Sequence, residues 1–120
     1  MLLTENQVQE IMEKAKTAFP RFSDWDCMNE PDSEYTGFTL WGKFILDLDQ
    51  RGSQIFFVTF SIFRESWRGE LTTGQHAYRW SSTEDGDAHL LGSKYCESFE
   101  IAVAELKNKI LTLFQAFSIF

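Results

Sequence analysis

The sequence predicts an α+β fold, a two-layer sandwich in which two helices cover one face of an antiparallel sheet. Apolar residues recur at helical spacing near both ends of the chain, which predicts an N-terminal helix and a long C-terminal helix. Between them, segments with the alternation of strands are separated by glycine-containing turns, which predicts a meander of four to five strands. Because 120 residues is the size of one domain, we expect a single domain over residues 1–120.

The first helix is predicted over Glu5 to Ala18. Thr4 and Gln7 have the Thr-x-x-Gln spacing of a capping box, in which each side chain bonds the backbone N–H of the other residue. Pro20 ends the helix, because the residue before a proline avoids the α-helical region.

An acidic segment follows the first helix. Alternation through Trp25 and Cys27 predicts a short edge strand, and the residues around Pro31 are typical of a loop. Five carboxylates lie within eleven residues, without any Lys or Arg among them: Asp24, Asp26, Glu30, Asp32 and Glu34. Such a segment would attract a basic protein partner and speed its association. The alternative is a solvated loop without a partner.

The central hairpin is predicted from a clear alternation of apolar residues over Phe38 to Asp49. Residues 50–52 suit a three-residue turn, since Gly52 tolerates a positive φ. That turn would pair Leu46 with Phe56 and keep both strands' apolar sets on the helix side.

Two further turns complete the predicted meander. The Arg-Gly pattern at residues 67–69 would close a second hairpin and set Tyr78 opposite Val58. Asp85 and Gly86 form the centre of a third hairpin turn. The last helix is predicted to begin at Ser98, and its apolar stripe runs through Phe99, Val103, Leu106, Ile110, Leu113, Phe114 and Phe117.

Large apolar residues also occupy the alternate positions of the strands, so the sheet face turned away from the helices, here called the second face, would be apolar as well. The residues that we select there as a ligand or partner site are Trp41, Lys43, Ile45, Phe57, Thr59, Ser61, Phe63 and Arg79. An open patch of this kind is unusual on a monomer. Three explanations remain. A homodimer joins sheet to sheet, or through this face together with the apolar C-terminus; residues 22–37 fold across and lay Trp25 on the patch; or a small apolar ligand or peptide fills a groove.

Few residues have a pattern that indicates chemistry. His76 and His89 are predicted to face the core near opposite ends of the sheet, and Cys96 precedes the last helix without a base beside it. We find neither the spacing of a metal site nor a phosphate-binding loop. We therefore name no catalytic residue, metal or cofactor, and the roles of these three residues stay open.

The net charge of −7 repels nucleic acid phosphates, so we expect no nucleic acid partner. Two cysteines do not make a disulfide framework, the first residues lack a signal peptide, and no apolar run approaches a membrane span. These features predict a cytoplasmic protein without membrane contact. The sequence favours a non-enzymatic binding module, a homodimer that acts through the second face and the acidic segment. The alternative is a small-ligand-binding or enzymatic domain with a pocket on that same face.

Overall fold

The computed structural model describes residues 3–29, 37–47, 53–74 and 88–118 of the chain. The elements are α1 (Glu5–Ala18), β1 (Ser23–Asn29), β2 (Phe38–Asp47), β3 (Ser53–Phe63), β4 (Ser66–Thr73), β5 (Ala88–Gly92) and α2 (Phe99–Ser118). The strands pair antiparallel in the order β1-β2-β3-β4-β5. The α+β fold class, with a helix at each end of a meander, is therefore confirmed.

Both helices begin at the side-chain caps that the sequence contains. In α1, the Gln7 backbone N–H donates to Thr4 Oγ1 over 3.1 Å, and the Thr4 N–H donates to Gln7 Oε1 over 2.9 Å. This is the predicted capping box. In α2, the Ile101 N–H donates to Ser98 Oγ over 3.2 Å. Each cap satisfies an amide that has no partner within its helix.

The core lies between the sheet and the two helices. Phe60 of β3 is at its centre, because its ring centroid lies 6.0 Å from that of Phe19 after α1 and 5.2 Å from that of Phe99 in α2. Leu40 and Val58 are fully buried on the same face of the sheet. Because both helices contact this face, the second face carries no described helix.

The β2–β3 hairpin has the predicted faces but a register shifted by two residues. Phe44 pairs with Phe56, and Asp47 pairs with Ser53, so residues 48–52 connect the strands instead of a three-residue loop. These five residues lie outside the described part of the chain. The observed register stacks two aromatic side chains, with ring centroids 6.3 Å apart, which is a stabilising cross-strand pair.

The predicted β3–β4 turn at residues 67–69 is wrong. The strands turn instead at Arg64 and Glu65, whose φ angles are 49° and 67°. Two left-handed residues are typical of a two-residue hairpin turn, although Asn and Gly are the residues it usually contains. Val58 consequently pairs with Leu71 rather than with Tyr78, which lies outside the described residues together with the third predicted turn.

Candidate functional site

The strand pairing places the predicted second-face residues on one side of the sheet, with the exception of Arg79, which lies outside the described residues. Trp41 pairs with Thr59 and Lys43 pairs with Phe57, on positions that alternate with the core residues of the same strands. Ser61 and Phe63 continue this face along β3 by the same alternation. The structure therefore brings together Trp41, Lys43, Ile45, Phe57, Thr59, Ser61 and Phe63.

The centre of the second face is buried within the single chain. Trp41 retains 8% of its surface exposed and Phe57 retains 2%, whereas Ile45 at the border retains 48%. Neither Trp41 nor Phe57 belongs to the cluster of buried residues beneath the helices. Among the described residues selected on the second face, Ile45 is therefore the large apolar side chain that is exposed, whereas Trp41 and Phe57 are buried.

Trp25 does not lie on the second face, so the alternative that laid Trp25 on the patch is wrong as regards this residue; residues 30–36 of the same segment lie outside the described residues. Its indole packs flat against Gly42 on the helix side, where a Cβ added to Gly42 would lie 2.7 Å from the indole Cδ2. The Trp25 Nε1–H donates to the Phe22 carbonyl over 3.1 Å, which fixes the ring. The physical reason is strand alternation: Cys27 pairs with Leu40 on the core face, and Trp25, two residues earlier, projects to the same face.

His89 lies on the second face, not on the core face that the sequence predicted. The pairing shifts between Leu71, which faces Leu91, and Thr72, which faces His89, so Leu90 forms a bulge and the alternation is reset. The His89 Nδ1 lies 3.2 Å from Glu70 Oε2. His76 lies outside the described residues.

Cys96 is buried and is held in place by hydrogen bonds to its neighbours. It forms a two-bond bridge with Trp67, with N···O distances of 2.8 and 2.7 Å, and its Sγ lies 3.2 Å from the Lys94 carbonyl oxygen. Burial, followed by the nearby Glu105 carboxylate at 3.7 Å, raises the pKa of the Cys96 thiol. A raised pKa keeps the sulfur protonated, and the thiolate is the nucleophilic form, so this environment disfavours nucleophilic chemistry.

The acidic segment begins on the edge strand β1, as predicted. Asp24 is exposed, has a φ of 54°, and its Oδ2 lies 3.2 Å from Lys43 Nζ. The exposed Asp26 accepts a hydrogen bond from the Cys27 N–H through Oδ1 over 2.8 Å. Glu30, Asp32 and Glu34 lie outside the described residues, so their predicted role in an acidic partner surface stays a prediction.

A groove of about 380 Å³ runs between α1 and the end of β1. Its lining residues are Glu5, Val8, Gln9, Met12, Glu13, Lys16 and Asn29. Val8 and Met12 are half-buried and pack against the core, so they form an apolar floor. The carboxylates of Glu5 and Glu13 stand on exposed positions at its border. The sequence showed the apolar stripe of α1 but gave no sign that part of it stays accessible.

Comparison with known proteins found no family model, no curated protein and no solved structure that matches this chain. Within the described ranges, no group of three His, Cys, Asp or Glu side chains could hold a metal ion. No helix in that part of the chain is both long enough and apolar enough to cross a membrane. Function must therefore be inferred from the chain's own residues.

Proposed function

We propose that this protein is a binding module that holds a basic, amphipathic segment of a partner protein in the groove between α1 and β1. The observation that carries the proposal is the combination of an apolar floor, Val8 and Met12, with the border carboxylates of Glu5 and Glu13. An amphipathic segment buries its apolar side chains on such a floor while its cations pair with the border.

The charges around the groove support a basic occupant. Lys16 is the one cation among the lining residues, against two carboxylates. Lys14, on the same helix, has its ammonium engaged elsewhere, 3.1 Å from Glu10 Oε1 and 2.6 Å from Glu100 Oε1. The net charge of −7 adds a long-range field that attracts a cationic partner and speeds its encounter.

The groove is also held in a fixed shape. The Asn29 side chain bonds both backbone polar groups of Leu3: it accepts from the N–H over 3.2 Å and donates to the carbonyl over 2.8 Å. This contact ties the start of α1 to the end of β1, on either side of the groove. A preformed site loses little conformational entropy when it binds, which favours affinity.

Two methionines allow a direct test by NMR of protein labelled with ¹³C in the methionine methyl groups. Met12 lies in the groove, whereas Met28 on β1 pairs with Thr39 and belongs to the second face. The probe is a synthetic helical peptide with leucines at i, i+4 spacing and lysines elsewhere. We expect its addition to shift the Met12 methyl signal saturably and to leave the Met28 signal in place.

Charge variants complete the test. Glu5→Gln and Glu13→Gln should each weaken peptide binding, by up to about fivefold, because an exposed ion pair contributes about 0.2–1 kcal/mol. Glu97→Gln is the matched control, since Glu97 is exposed in the loop before α2 and removes the same charge away from the groove. A shift of Met28 alone, or equal weakening by all three variants, would contradict the proposal.

A further inference from the structure

A second charged surface contains two arginines, each of which lies over an aromatic ring. The guanidinium carbon of Arg64 lies 5.4 Å from the centre of the Phe63 ring, and that of Arg68 lies 5.8 Å from the centre of the Tyr95 ring. The two rings contact each other, with centroids 6.2 Å apart. These four residues are called the Arg64–Tyr95 cluster below.

Tyr95 is exposed although the backbone on either side of it is fixed. Its side chain retains 61% of its surface in solvent. The preceding Lys94 N–H donates to Glu105 Oε1 over 2.8 Å, and the following Cys96 N–H donates to the Trp67 carbonyl over 2.7 Å. An exposed aromatic ring on a backbone held in this way is already ordered before a partner arrives, which reduces the entropy cost of binding.

Arg64 supplies a cation that the described chain does not neutralise. Arg68 forms an ion pair with Glu70, with 2.5 Å between Nη1 and Oε1, whereas Arg64 has no carboxylate within ion-pair distance among the described residues. Arg64 also occupies a left-handed backbone position in the turn, at a φ of 49°.

We propose that the Arg64–Tyr95 cluster binds an acidic segment of a partner protein, at a surface separate from the α1–β1 groove. Arg64 pairs with a carboxylate of the partner, and the Tyr95 ring packs against the partner's apolar side chains. Tyrosine and arginine are the residue types most often responsible for binding energy at protein interfaces. A nucleic acid strand is disfavoured as the partner, because a long polyanion is repelled by the protein's whole net charge of −7. A short acidic segment interacts mainly with the charges that lie within about one Debye length of it, and these include Arg64.

Fluorescence anisotropy with a labelled peptide of alternating glutamate and leucine tests this proposal. We expect saturable binding to the full chain below about 1 mM. Arg64→Gln and Tyr95→Ala should each weaken it by about fivefold or more. Lys107→Gln is the matched control for loss of one exposed cation, because Lys107 lies on α2 outside the cluster, and we expect less than a twofold change.

Three results would overturn the proposal: no binding of the acidic peptide up to that concentration, equal weakening by Lys107→Gln and Arg64→Gln, or tighter binding of single-stranded oligothymidylate with the same dependence on Arg64. Circular dichroism of each variant shows whether it folds. Because Arg64 and Tyr95 are exposed, we expect both variants to fold. The two substitutions lie at different positions, so the test still stands if one of the two variants fails to fold.

Discussion

Gly69→Ala tests how closely α2 packs on the sheet. A Cβ at residue 69 would lie 2.6 Å from Phe60 Cε1, 2.9 Å from Phe60 Cδ1 and 3.0 Å from Leu106 Cδ2. Favourable carbon contacts need about 3.5–4.0 Å, so the added methyl group overlaps its neighbours by roughly 1 Å. Phe60 and Leu106 are fully buried and cannot move into solvent. Overpacking of this kind costs about 1–3 kcal/mol, and we expect about 2 kcal/mol in chemical denaturation.

Two comparisons separate this steric cause from a general loss of stability. Gly92→Ala should cost less than Gly69→Ala, because its nearest neighbour, at 2.9 Å, is the flexible end of the Arg68 side chain. In a Phe60→Leu background, which removes the Cε1 atom, Gly69→Ala should cost much less than in the wild type, and a double-mutant cycle measures the difference. An equal cost in both backgrounds, or a cost below about 0.5 kcal/mol in the wild type, would refute the reasoning.

Three further predictions concern other parts of the chain. Glu65→Gly should raise the free energy of unfolding by up to about 1 kcal/mol, because glycine relieves a left-handed residue, and a decrease in urea denaturation would contradict this. If the predicted homodimer forms through the second face, Ile45→Glu should give a folded monomer in light scattering. Phe57→Glu should instead destabilise the fold, because Phe57 is only 2% exposed. A wild-type protein that is already monomeric would contradict the predicted dimer. Burial and Glu105 raise the pKa of the Cys96 thiol, so the protonated thiol's contribution to the free energy of unfolding is fully present below the ordinary thiol pKa of about 8.5 and falls as the pH rises above it. Cys96→Ala should lessen that fall. An unchanged pH profile of unfolding would refute this prediction.

Hydrophobic alternation predicted which face each residue of β2 and β3 occupies, because a strand has a fixed period of two. It did not predict the register, since shifts by two residues keep every face and differ only in which side chains meet, as Phe44 and Phe56 do. The turn at Arg64 and Glu65 was missed for a related reason. Neither residue is a glycine, so the sequence contains no turn signal where the chain reverses.

The candidate sites could not be predicted from hydrophobic alternation, because they depend on bulges and long-range contacts that alternation does not reveal. A single bulge at Leu90 moved His89 from the expected core face to the second face, because one inserted residue reverses every position beyond it. The α1–β1 groove depends on Asn29 meeting residues near the start of the chain, a contact across 26 positions of sequence. The acidic edge strand was predictable because its composition and alternation are local properties of residues 23–29.

The two edges of the sheet show how a partner would have to approach. At β1, the Cys27 N–H is already bonded to the Asp26 side chain; at β5, the Gly92 carbonyl accepts from Lys109 Nζ over 2.7 Å. Open edge strands bind further strands through unpaired backbone groups, and side chains that occupy those groups oppose this. A partner that added a strand would have to displace these bonds. Side-chain surfaces, such as the groove and the Arg64–Tyr95 cluster, require no such displacement, and their opposite charges select different partner segments.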